Sequence, residues 1–182
     1  FIAQETGWAV VVPDSMQTPN RITYTSPVAK CDYEAVHAMR SVELLYAARR
    51  LFEEAWFGGV YAVGGTSEGG VAAARFDSTE LPIREKAKLI FSWSCEANYH
   101  VEAPRSVLPD DLAVLNVMSL CDKFFSRANS YLDNDSAFGY AREALQHNPN
   151  ASILLLPQAP HTLLNLPQVH AAAAEILQRV AQ

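Results

Sequence analysis

The sequence predicts an α/β protein, a mostly parallel sheet with helices on both faces. Short apolar runs rich in Val, Ile and Leu recur along the 182 residues, and helical patterns separate them. With 49% hydrophobic and 19% charged residues, the chain can bury a core of the size one domain needs, so residues 1–182 are read as a single domain.

The elements follow in order. Trp8 to Val12 reads as a buried strand stopped by Pro13 and Asp14. Ser15 to Lys30, rich in Pro, Ser, Thr and Asn and without a period, reads as a long surface connection. Asp32 to Trp56 places apolar residues at Val36, Met39, Leu44, Leu51, Phe52 and Ala55 with charge elsewhere, the pattern of an amphipathic helix, with Asp32 as its expected N-cap. Val60 to Val63 is the second strand, flanked by Gly58-Gly59 and Gly64-Gly65, and Glu68 to Arg75 the helix after it. Lys88 to Trp93, Leu112 to Met118 and Ser152 to Leu156 are three more strands. Helices are expected over Ala137 to His147 and over Gln168 to Ala181, the last with Pro167 near its start.

The net charge of −6 and the lack of any Lys/Arg cluster argue against nucleic acid and against a charged membrane surface. No apolar run approaches the roughly 18 residues a membrane-spanning helix requires, so a soluble, cytoplasmic protein is expected. Cys31, Cys95 and Cys121 form no short-spaced pair, which points to reduced thiols rather than a metal knuckle or a disulfide framework, with Cys95 and Cys121 read as buried structural thiols.

Gly64-Gly65-Thr66-Ser67-Glu68-Gly69-Gly70 follows a short apolar run and precedes a helical one, the context the G-x-S-x-G motif requires. A sharp strand-to-helix turn strains the nucleophile's backbone, so the residues on either side must be small, as Gly65 and Gly69 are. The turn would place the Ser67 hydroxyl at a helix N-terminus, with the Glu68 amide as one oxyanion donor. A serine needs a base, and the base an orienting carboxylate. Asp122 and His161 each follow a predicted strand, in the chain order Ser, Asp, His, and in a parallel sheet those strand ends share one edge with Ser67. His37, His147 and His170 fall on predicted helices and His100 is the rival base; Asp110, Asp111, Asp133 and Asp135 are the rival acids. No metal or organic cofactor is expected. Trp93, Tyr99, Phe124, Phe125 and Tyr131 are weighed between an apolar acyl pocket and core packing, and Arg21 and Arg105 between a carboxylate site and solvent.

Taken together, Gly7-Trp8-Ala9-Val10-Val11-Val12-Pro13-Asp14-Ser15, the helix from Asp32, the elbow at Ser67, Cys121-Asp122 and Pro160-His161 resemble the dienelactone hydrolase branch of the α/β-hydrolases over nearly the whole chain. The resemblance implies Ser67 as nucleophile, Asp122 as acid and His161 as base, with Trp93, Tyr99 and His100 in the substrate pocket. The namesake enzymes carry cysteine where this chain has Ser67, so the expectation is a serine esterase acting on a small-molecule ester, lactone or related acyl bond. A noncatalytic binding module and an acyltransferase or thioesterase with the same triad are the alternatives. The family's sheet also has earlier strands, one of them between those at Trp8 and Val60 with an oxyanion loop after it. This sequence opens at Phe1 without them, so another chain or an N-terminal segment is expected to complete the sheet, and a homo-oligomer is one route to that.

Overall fold

A computed structural model describes residues 1–127 and 137–182. Its centre is a sheet of four parallel strands in the order β1 (Ala62–Thr66), β2 (Ala87–Phe91), β3 (Ala113–Ser119) and β4 (Ala151–Leu156). Parallel pairing along the whole sheet puts every strand's C-terminal end on one edge, with Thr66 beside Phe91, Phe91 beside Val117, and Ser119 beside Leu156. The expected α/β class with a parallel sheet is therefore present.

β2 and β3 are buried along their whole length because both their faces are covered. On one face Ile90, Val114 and Met118 pack with Val71 and Ala74 of α3 (Glu68–Arg75). On the other, Leu89, Phe91, Leu115 and Val117 meet Val169, Ala173, Ile176 and Leu177 of α4 (Pro167–Val180), which starts with proline at its first turn as expected. α2 (Lys30–Phe52) lies outside α3 and buries Tyr33, Val36, His37 and Ala48. Its N-cap is Ala29 rather than Asp32, which sits in the first turn, where its charge suits the helix dipole.

Lys88 and Asn116 bring polar side chains into the middle of the sheet. Lys88 on β2 is fully buried and donates to the carbonyls of Phe76 (2.6 Å) and Val107 (2.5 Å) beside Glu85, and burial draws its ammonium down to about 8. Asn116 on β3 donates to Ile90 O and Trp93 O and accepts from the Ala141 amide, tying three segments together.

Three expectations need correction. Trp8 to Val12 forms no strand: a strand exists only against a neighbour, and this segment has none, so Val10, Val11 and Val12 are 52%, 53% and 79% exposed. A short helix, α1 (Ile2–Thr6), precedes it, closed by Gly7 at φ 75°. Ala137 to His147 is a set of turns rather than a helix. Its amides are taken by side chains from elsewhere: Glu96 accepts from Phe138 and Gly139, and Asn116 from Ala141, while Gly139 sits at φ 80°. Cys121 is exposed, its thiol 3.7 Å from the Ala159 carbonyl; only Cys95 is a buried thiol, and burial pushes it up to about 12.

Among the described residues, no strand pairs with the outer edge of β1. Between that edge and residues 7–13 runs an apolar cavity of about 690 Å³, floored by Leu89 and Leu177 and walled by Val10, Val12, Leu44 and Trp56.

Candidate functional site

Ser67 ends the turn from β1 into α3 with φ 57° and ψ −114°, a conformation a non-glycine residue adopts only when its surroundings impose it. Two hydrogen bonds hold it there: its amide donates to Phe91 O and its carbonyl accepts from Val71 N, both at 3.0 Å. Small neighbours are required, though not all for the same reason. A Cβ on Gly65 would lie 2.2 Å from the Gly69 carbonyl oxygen, and one on Gly70 would lie 2.8 Å from Phe91 O, whereas a Cβ on Gly69 would meet nothing within 4 Å. The elbow therefore depends on Gly65 and Gly70, and Gly69 matters for the passage of its backbone. Glu68 is the first residue of α3, where amides have no carbonyl one turn earlier to bond.

Asp122 and His161 come from two loops on the same sheet edge. His161 Nδ1 lies 2.6 Å from Asp122 Oδ2, while Asp122 Oδ1 accepts from the amides of Phe124 (2.8 Å) and Phe125 (2.9 Å). The carboxylate is buried and fully used, so its outer oxygen fixes Nδ1 as the imidazole's donor and leaves Nε2 as an acceptor. Two serines anchor the histidine's loop: Ser92 Oγ donates to His161 O at 2.5 Å and Ser119 Oγ to Ala159 O at 2.6 Å. Ser92 stands at φ 53° directly after β2, and Ser119 ends β3, so the loop is tied to two strand ends.

Ser67 and His161 line one cavity of about 320 Å³, smaller than the groove beside β1 and placed over the strand ends. Tyr99 and His100 line it as expected, and Phe124 and Phe125 join them; the ring of Phe124 meets His161 edge-on at 4.6 Å. Trp93 does not. It is completely buried against Phe125 and forms part of the core, as the chain turns away from the edge at Ser92. Tyr131, Asp133 and Asp135 lie outside the described residues. Asp110 and Asp111 precede β3, at the opposite edge from Ser67.

His100, the rival base, is buried with its ring against Tyr33 and its Nε2 3.4 Å from the Tyr24 hydroxyl. Burial lowers it to about 3, with His37 nearby acting in the same direction, so it stays neutral and has no carboxylate to orient it. His37 donates through Nε2 to the His100 carbonyl, and burial lowers its pKa too.

The connection at Ser15 to Lys30 begins with a 3₁₀ turn over Ser15–Gln17 and then contributes to the site, a role no pattern in it announces. Tyr24 and Ser26 line the cavity, and Tyr24 donates to the Glu68 carboxylate at 2.5 Å. Burial alone would raise the Glu68 carboxyl, but the Tyr24 hydroxyl and the guanidiniums of Arg40 (3.2 Å) and Arg21 (3.6 Å) bring it below the ordinary range. Burial and that same bond push the Tyr24 hydroxyl well above its usual value. Ser15 and Thr18 bond Glu43 on α2, and Arg40 bonds Ser15, which pins the connection over the helix. Arg105 is exposed beside Glu102 and far from the role weighed for it.

Among the described residues no group of three His, Cys, Asp or Glu side chains could hold a metal ion, and no helix is long and apolar enough to cross a membrane. No model of a known protein family matches the chain, and no curated protein does.

Proposed function

We propose that the chain is a serine hydrolase of the α/β-hydrolase kind, cleaving a carboxylic ester, lactone or related acyl bond. The observation that carries this reading is the oriented Asp122–His161 pair opening onto the same cavity as Ser67, itself held in the strained turn at a helix N-terminus. Ser67 Oγ attacks the carbonyl carbon as His161 Nε2 takes its proton. The tetrahedral oxyanion is stabilised by the Glu68 amide, and collapse expels the alcohol, which receives that proton. Water activated by the same nitrogen then releases the acid and restores Ser67. Asp122 keeps the imidazole in the required tautomer throughout.

A second part of the proposal concerns the groove beside β1. An oxyanion hole normally uses two N–H donors, each worth roughly 10²–10³ in rate. The unpaired edge of β1 and the apolar groove along it fit one extended apolar segment, from another chain or an N-terminal segment, whose following turn would bring the second donor.

The test is labelling by a fluorophosphonate with mass mapping, comparing the wild type with Ser67→Ala. Adduct on Ser67 and none in the variant is expected. A well-folded protein that takes no label at Ser67 is instead a noncatalytic binding module.

A further inference from the structure

The walls of the cavity at Ser67 are the rings of Tyr24, Tyr99, Phe124 and Phe125, and among the described residues no Lys, Arg, Asp or Glu lines it. Arg21, Arg40 and Arg75 are engaged elsewhere. Arg21 and Arg40 both face the Glu68 carboxylate, and Arg75 makes a two-pronged pair with Glu34 at 2.7 and 2.9 Å. Arg21 leaves its Nη1 without a partner, but it does not line the cavity. Lys123 is exposed and stacks over Phe124, 4.8 Å from the ring centroid, outside the cavity.

The polar side chains of its wall are hydroxyls and two imidazoles. Tyr24 gives its proton to Glu68, so the hydroxyl oxygen faces His100 Nε2 as an acceptor. Thr66 Oγ1 and His100 Nδ1 are buried in the wall without partners. A carboxylate entering here would give up part of its water and meet no cation among the described residues, an exchange that is unfavourable without a paired charge. An apolar cavity of about 150 Å³ holds one benzene ring, so the volume of about 320 Å³ takes a single-ring or short-chain acyl group with room for the scissile bond.

Resting on the hydrolase reading, we infer that this site selects uncharged acyl groups, aromatic or short aliphatic, and rejects substrates whose acyl portion carries a carboxylate. Flat rings offer area and dispersion contact to such a group.

The experiment uses two p-nitrophenyl phosphonates of matched length, one ending in phenyl and the other in a carboxylate. In each, Ser67 Oγ forms a bond to phosphorus as the bond to p-nitrophenolate breaks, and the serine proton passes to His161. Rates are divided by each compound's rate with free hydroxide. The neutral compound is expected to label Ser67 at least about tenfold faster, and Thr162→Arg, which adds a cation at the exposed lip of the cavity, is expected to narrow that ratio. Equal labelling, or faster labelling by the carboxylate, overturns the inference while leaving the hydrolase reading in place; loss of that advantage in Arg21→Gln would then identify Arg21 as the anion's partner. Labelling by neither compound, with none by a small fluorophosphonate, overturns both.

Discussion

At Asp122 the two carboxylate oxygens have different partners, one the amides of Phe124 and Phe125 and the other His161 Nδ1. Asp122→Asn keeps the shape and lets the new amide oxygen accept from the two backbone groups, but it turns an NH₂ toward the imidazole. Nδ1 must then accept, so Nε2 carries the proton and can no longer take one from Ser67. Labelling of Ser67 by a fluorophosphonate should slow by about 10³–10⁴ with little change in circular dichroism; an unchanged rate would remove His161 from the reaction. The elbow makes a separable prediction. Gly65→Ala drives a Cβ against the Gly69 backbone at 2.2 Å and should destabilise by about 3 kcal/mol or more, read from the denaturant midpoint. Gly69→Ala, one turn away with open space before it, should be neutral or stabilise by up to about 1 kcal/mol. Both residues look alike in the motif, and only the backbone path separates them.

Among the elements, β2 and β3 were legible because burial on both faces leaves a largely apolar run, interrupted by Lys88 in Ala87–Phe91 and by Asn116 in Ala113–Ser119, whereas β1 lies at Ala62–Thr66, two residues beyond the expected start at Val60. Ser67, Asp122 and His161 could be placed together from the sequence because the ends of β1, β3 and β4 share an edge. What stayed hidden depends on contacts distant in the chain: Tyr24 and Ser26 in a segment with no period, Ser92 and Ser119 anchoring the loop of His161, and the helical pattern at Ala137 to His147 overridden by Glu96 and Asn116. The packing of α2 on the segment around His100 has a measurable consequence. Burial lowers both His37 and His100, so below about pH 6.5 the unfolded chain binds protons that the folded one refuses. Stability is thus present above that pH and is lost as pH falls, for His100 down to about 3 at up to about 1.4 kcal/mol per pH unit, with His37 acting in the same direction. Glu34 adds its own loss lower down. Its pair with Arg75 holds it at about 2, so that contribution is complete above about 4.5 and disappears between 4.5 and 2. Between pH 6.5 and 5 the contribution of His37 and His100 lies clear of that of Glu34, and His100→Gln should flatten the dependence of the denaturant midpoint there. A slope equal to the wild type's would mean that His100 takes up its proton in the folded state.

For the molecule as a whole, the groove beside β1 is the largest departure from a closed fold. It presents a row of backbone groups on the free edge together with Val10, Val11 and Val12 in solvent, a combination that folded proteins ordinarily cover. The chain by itself should therefore bind a hydrophobic dye strongly and self-associate in sedimentation experiments, because a second copy can cover part of the surface that the complementing strand would fill. Val11→Lys with Val12→Lys places charge on the rim and should return the lone chain to a monomer. The same pair should weaken uptake of a complementing segment, which separates the groove's role from general stickiness. If the proposed complementing segment carries the second oxyanion donor, labelling at Ser67 should be slow in the chain alone and rise by roughly 10²–10³ on adding it. A stable monomer of these 182 residues that excludes the dye and already labels at the full rate would show that the edge needs no partner and that one amide donor is enough.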